Sequence, residues 1–229
     1  MTGTTGETPI WYVTLCVWYT LFAILVHTSL RERMRMPVIY FIRHGETDWN
    51  AERRMQGRLE VPINAKGERQ ATRNGQLLRE HLGRADGFDF VASPQLRTRQ
   101  TMEIIRREMG LDPTDYRTDD RLREIHKGDW QSHLLADLPT LFPVEMAAYS
   151  QDHWNVVPPG EGAESFAMMH ARVCAWLTAV TLDTVVVSHG GPMRCIRRHV
   201  LGLDAESTSR LPVPQDQVLC IRDGAVSWL

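Results

Sequence analysis

Short apolar runs and longer helical patterns alternate along most of the chain. VIYFI (38–42), FDFVAS (88–93) and TVVVS (184–188) are apolar at nearly every position rather than every second one, as expected of strands covered on both faces. QVLCIRDGAVSWL (217–229) gives two further strand-like runs around Asp223-Gly224, a hairpin signal. Between them the period changes. Asn64 caps a predicted helix running to about Leu82, with Ala71, Gly75, Leu78 and Leu82 at helical spacing. Gln95 to Met109 reads as the next helix, stopped by Gly110 and Pro113. Ser165 to Val180 is amphipathic, and HGGPMRCIRRHVLG (189–202) reads as a loop entering a helix. Residues 131–163 fit neither period; rich in Pro and aromatics, they read as a lid-like insertion with a short helix or two. The alternation predicts an α/β fold, a three-layer sandwich with a largely parallel central sheet flanked by helices.

Composition narrows the function. With 229 residues, 43% hydrophobic and 24% charged, the chain can bury one full core. A net charge of -2, with Arg and Lys dispersed, gives no electrostatic case for nucleic acid. Cys16, Cys174, Cys195 and Cys220 show neither CxxC pairing nor scaffold density, which points to a reducing compartment and away from structural zinc.

The N-terminus stands apart. Residues 10–30, IWYVTLCVWYTLFAILVHTSL, carry no Asp, Glu, Lys or Arg, and a helix over them would rise about 30 Å, the thickness of a bilayer core. Arg31, Arg33 and Arg35 follow, an arrangement that would anchor the chain with its main domain in the cytoplasm. Thr14, Thr20, His27, Thr28 and Ser29 interrupt the run, and Met34 or Met36 would serve as a first residue. Two readings stand for residues 1–35, a membrane anchor or a start codon assigned too far upstream, ahead of a domain at 36–229.

In an open α/β sheet the ligand crevice lies beyond the carboxyl ends of the strands. Arg43-His44-Gly45 follows the first strand, Ser93 and Arg97 the second, and Ser188-His189-Gly190-Gly191 the third. Cations and imidazoles from three segments therefore converge on one edge. Arginine forks match phosphate oxygens bidentately, and a neutral imidazole beside them can attack phosphorus if one ring nitrogen is tied to a backbone carbonyl. Taken singly, Arg97 reads as a solvated charge, Glu124 as a surface ion pair and His189 as a strand-end histidine. A metal on His44 and His189 lacks a third ligand at matching spacing.

RHGETDWN (43–50), SPQLRTRQT (93–101), REIHKGDW (123–130) and VVVSHGG (185–191) together resemble, in order and spacing, the motifs of the histidine phosphatase superfamily, the phosphoglycerate mutase-like proteins. The resemblance covers about Met36 to Leu229. It implies a phosphoglycerate mutase-like fold, His44 as the nucleophile that becomes phosphohistidine, Arg43, Arg97 and His189 around the phosphoryl oxygens, and Glu124 as proton donor. It also implies that Asn50 contacts the phosphoryl group and that Thr47, Gln56, Gly57 and Gly190 contact substrate, with no metal and no cofactor. Gln95 and Thr98 depart from the family's usual residues beside Arg97, and Gln131-Ser132 replaces a frequent Glu-Gly after Trp130.

The short segment after Glu124 resembles the phosphatase branch, and the expected activity is a phosphomonoesterase of histidine acid phosphatase type acting on a small phosphorylated metabolite. A mutase-type phosphotransferase is the alternative. A tethered, non-catalytic phosphate-binding module is the third reading, against which the complete set of His44, Arg43, Arg97, Glu124 and His189 argues.

Overall fold

The computed structural model describes residues 36–229. Its strands are β1 (Ile39–Arg43), β2 (Asp89–Ala92), β3 (Arg117–Thr118), β4 (Thr184–Ser188), β5 (Leu219–Arg222) and β6 (Ala225–Trp228). Its helices are α1 (Asp48–Ala51), α2 (Ala65–Leu82), α3 (Leu96–Glu108), α4 (Leu138–Leu141), α5 (Pro143–Gln151), α6 (Phe166–Leu177), α7 (Gly190–Leu201) and α8 (Ala205–Ser209), with 3-10 turns at Asp120–Leu122 and Gly128–Trp130. The strands form one sheet in the order β3-β2-β4-β1-β5-β6. β3, β2, β4 and β1 run parallel, and β5 and β6 close the edge antiparallel.

Both faces of β1 are covered, which is why its sequence does not alternate. Val38, Tyr40 and Ile42 pack with Leu78 of α2 and Met102 and Ile105 of α3. Ile39 and Phe41 pack on the other side with Met169, Val173 and Trp176 of α6 and Met193 and Ile196 of α7. Each fully buried aliphatic or aromatic side chain here contributes about 1.5–3 kcal/mol. The result is the expected three-layer sandwich.

Local signals fixed the ends of these elements. The Asn64 side chain accepts hydrogen bonds from the backbone of Lys66 and Gly67, and the Ser165 hydroxyl accepts from Met168. Asp223 and Gly224, both at positive φ, make the tight β5–β6 turn. The register aligns the business ends: Arg43 pairs with Ser188 and Ala92 with Val187, so His44, Ser93 and His189 emerge at one level.

The segment at 131–163 holds α4 and α5. Its start is tied down by an isolated antiparallel bridge of Arg54 with Leu134 and by Gln131, whose side-chain oxygen accepts from Arg58 N at 2.7 Å. Ser132 sits at φ 69, a left-handed conformation that costs a residue with a Cβ. Ser132→Gly is therefore expected to raise stability by about 0.5–1 kcal/mol, after allowing for glycine's greater freedom when unfolded. Urea denaturation of the two proteins checks this.

Among the described residues no helix is long and apolar enough to cross a membrane; the stretch at 10–30 lies outside the described residues.

Candidate active site

At the carboxyl end of β1 the chain turns sharply from Arg43 into His44 and Gly45. Gly45 lies so close to Gly67 at the start of α2 that a Cβ there would collide with the Gly67 backbone. That approach fixes the loop. Gly45 N donates to Thr101 Oγ1 at 3.0 Å, and His44 N donates to Ser188 O at 2.9 Å.

The His44 ring is buried, with Nδ1 2.8 Å from Gly45 O. A carbonyl can only accept, so Nδ1 carries the hydrogen and Nε2 keeps its lone pair. Arg97 Nε donates to that Nε2 at 3.2 Å. The guanidinium is itself clamped, Nη1 donating to Leu59 O and Nη2 to Gly57 O, both at 2.9 Å. Gly57 holds a positive φ of 52, where any side chain would also run into Gln131. Arg43 Nη1 donates to Val213 O at 2.8 Å, while its buried Nε has no partner. Burial pushes the Arg43 and Arg97 guanidiniums down to about 10, against the pull of Glu124, so both stay cationic near neutrality.

His189 stands beside His44, ring centroids 5.2 Å apart and edge-on. Its Nε2 lies 2.8 Å from Ser93 Oγ, and its buried Nδ1 has no partner. Glu124 faces the same space. Its Oε1 accepts from Ile125 N at 2.9 Å and its Oε2 from Gly191 N at 3.2 Å. Gln95 bridges the parts, its oxygen accepting from Glu124 N and its nitrogen donating to Gly57 O.

Burial, reinforced by Arg97 and Arg43, holds the His44 pKa well below its ordinary 6.5, and burial with Arg97 does the same to His189. Unfolding would let both rings take up protons near pH 6.5 that the folded protein refuses, so the unfolded state binds more protons. This stability is fully present above about pH 6.5 and is lost as pH falls toward the folded values, on the order of 1 kcal/mol per pH unit for each ring. Denaturation midpoints at about pH 7 and about pH 5.5 are expected to show the drop.

These groups border a cleft of about 210 Å³ lined by Arg43, His44, Asn50, Gln56, Gly57, Arg97 and Glu124. His189, fully buried beside His44, is not itself among the residues lining the cleft. The Asn50 amide oxygen accepts from Thr47 N and Gln215 Nε2, leaving the amide NH2 as the donor end. Thr47 does not line the cleft; buried, it caps α1 by accepting from Asn50 N at 3.1 Å. Gly190 also lies off the wall, against Val213 and Arg43, whereas its neighbour Gly191 lines it.

Sequence reasoning missed Lys127, Arg194, Arg54, Met55, Ile125 and Phe166, which complete the lining. Lys127 lies within the REIHKGDW motif, and that position was the available signal. His133 and His153 pack on Phe142 and on Tyr149 and Phe166, off the cleft wall. Away from the cleft, His170, Cys174 and His199 bring three potential metal-ligand atoms within 4.8 Å of one another, a grouping the sequence did not suggest. A larger recess, of about 500 Å³, opens at the amino end of β2 and carries none of the motif residues.

The sequence profile of the histidine phosphatase superfamily (branch 1) matches residues 39–224. The chain belongs to this superfamily. It is thus a histidine phosphatase superfamily enzyme of branch 1, with nothing in the match singling out a histidine acid phosphatase type. A Salmonella paratyphi B protein named "Probable phosphoglycerate mutase GpmB" is 33% identical over 202 residues, 85% of this chain and 88% of that protein. A mycobacterial glucosyl-3-phosphoglycerate phosphatase, solved in complex with VO3, superposes with a TM-score of 0.65 at 27% identity, over 84% of this chain and 96% of that one. The alpha-ribazole phosphatase of Shigella flexneri shares the fold, with a TM-score of 0.70 at 22% identity over 83% of this chain and 93% of that one. Histidine phosphatase relatives of this chain thus bear both phosphatase and mutase names.

Proposed function

We propose that the protein is a metal-independent phosphomonoesterase that hydrolyses a small phosphorylated metabolite through a phosphohistidine on His44. The observation that carries this reading is the state of the His44 ring: neutral, its Nδ1 committed to Gly45 O and its Nε2 lone pair held among buried cations. Nε2 attacks phosphorus in line as the ester oxygen leaves, its lone pair released as the Arg97 Nε–H turns from it to a phosphoryl oxygen. Arg43, Arg97 and His189 gather the equatorial oxygens and stabilise their charge. Arg43 Nε, buried and without a partner, is a donor an anion would satisfy, and His189 Nδ1 is a second one in the tautomer whose Nε2 accepts from the Ser93 hydroxyl. The Asn50 NH2 adds another. Glu124, across the cleft, protonates the departing alkoxide and then takes a proton from the water that attacks phosphohistidine.

The cleft's modest volume supports a compact substrate. The mutase reading keeps one specific support, the 33% identity to the GpmB relative. Following phosphate release and isomer formation from 3-phosphoglycerate, in the presence of EDTA, separates the two. Release without isomer formation supports the phosphatase, and isomer formation exceeding release, or complete dependence on added metal, would overturn it.

Glu124→Gln adds a test of mechanism. It is expected to slow an alkyl phosphate by about 100-fold and p-nitrophenyl phosphate much less, because nitrophenolate leaves without a proton. Equal losses on both substrates would remove Glu124 from the role of acid.

A further inference from the structure

The cleft is more cationic than one phosphoryl group requires. Arg43 and Arg97 bracket His44, and Arg54, on the rim, is ion-paired with Glu52 at 2.8 Å. Lys127 and Arg194 remain. Both line the cleft, and neither has a carboxylate within ion-pair distance among the described residues. Glu124 attracts both from further off, its oxygens being held by Ile125 N and Gly191 N.

Lys127 is only 6% exposed. Its Nζ lies 4.8 Å from the Phe166 ring centroid, 5.0 Å from Tyr149 and 5.9 Å from Trp130, and donates to Tyr149 Oη at 3.3 Å. The aromatic faces stand in for water around the ammonium and aim it from a fixed place. Arg194, half-buried on α7, donates Nε to Leu211 O at 3.1 Å, which leaves both terminal nitrogens of the fork uncommitted. The two cations come from different segments, the loop after Glu124 and the first turns of α7, and Tyr149 of the lid helix α5 positions one of them. A buried ammonium and a half-buried guanidinium with only Glu124, beyond ion-pair distance, to balance them among the described residues are costly to fold, and an arrangement of this kind persists where a ligand supplies further negative charge.

We infer that Lys127 and Arg194 form a second anion-binding subsite in the cleft, so that the preferred substrate is a compact phosphomonoester carrying a second anionic group, a carboxylate or another phosphate. The inference rests on the phosphatase reading above and deepens it. Its bland competitor is that Lys127 merely fills an aromatic box and Arg194 merely braces the Leu211 carbonyl, in which case neither would distinguish one ester from another.

The test compares three small esters on the full-length protein: glycerol 3-phosphate, which has no second anion, 3-phosphoglycerate, which adds a carboxylate, and glycerol 1,3-bisphosphate, which adds a phosphate. Ester consumption is followed by phosphorus NMR, so hydrolysis and phosphoryl transfer both register. The wild-type protein is expected to favour at least one anionic ester over glycerol 3-phosphate by about tenfold or more in kcat/KM, and the favoured ester names the group. Lys127→Gln and Arg194→Gln are each expected to shrink that ratio toward one, chiefly through KM. Because each ratio is taken on one protein preparation, partial misfolding of a variant cancels. A wild-type ratio near one, or a ratio unchanged in both variants, overturns the subsite. If the wild-type protein consumes none of the esters, the phosphatase reading fails, and the same ratios measured as calorimetric Kd values decide the subsite by the same criteria.

Discussion

His44→Ala is expected to lower kcat on any phosphomonoester by on the order of 10⁴-fold or more while leaving the protein folded. The ring has one place in the reaction that no neighbour can fill. Among the groups lining the cleft, Arg43, Arg54, Arg97, Lys127 and Arg194 are cations, and Glu124 has its oxygens turned to two backbone donors. His189 is a neutral imidazole too, but it is fully buried and does not line the cleft, and its Nε2 is engaged by Ser93. Removing the His44 ring leaves Gly45 O without its donor and opens a small cavity, a combined cost of about 1–3 kcal/mol. Thermal unfolding should therefore shift by several degrees without losing cooperativity, and activity should fall far beyond that.

Arg97→Lys is the second large effect, and it should strike twice. The arginine joins the nucleophile to the loop at 57–59 through three directed bonds, to His44 Nε2, Gly57 O and Leu59 O. A lysine has a single nitrogen and cannot make that fork. At least one buried carbonyl would lose its charged donor, which costs about 1–3 kcal/mol. The developing charge on the phosphoryl oxygens would lose a preorganised donor, a loss of about 10²–10³-fold in kcat. Steady-state kinetics beside urea denaturation separates these effects. A variant with lowered stability but unchanged kcat would show that Arg97 only braces the loop.

The parts of this architecture that were readable from sequence share a cause: their signals are local. A strand buried on both faces writes an unbroken apolar run, so β1, β2 and β4 were visible, and Asn64 and Ser165 marked helix starts because the capping bond spans only two or three residues. β3 escaped because Arg117 and Thr118 are too few and too polar to show a period, and they pair with β2 only in three dimensions. In the site, the motifs brought forward Arg43, His44, Arg97, Glu124 and His189, and the register of β1, β2 and β4 explains why those separated segments meet. The supports were not legible. Nothing in the residue types says that Gln95 would bridge Glu124 to Gly57, or that Gln131, a departure from the family pattern, would bind Arg58 N. Thr47 was assigned by position in a motif, but its hydroxyl is committed to Asn50 N. Lys127 and Arg194 look like ordinary solvated charges until their burial and their lack of an ion-paired carboxylate among the described residues are seen together.

The most direct measurement is the site of phosphorylation during turnover. The protein mixed with a phosphomonoester and quenched in alkali within one turnover should carry phosphate on the peptide containing His44. That label should be labile to acid, should disappear as the substrate is exhausted, and should be missing from His44→Ala. Phosphate on any other residue, or a His44→Ala protein that turns over substrate at the wild-type rate, would contradict the account.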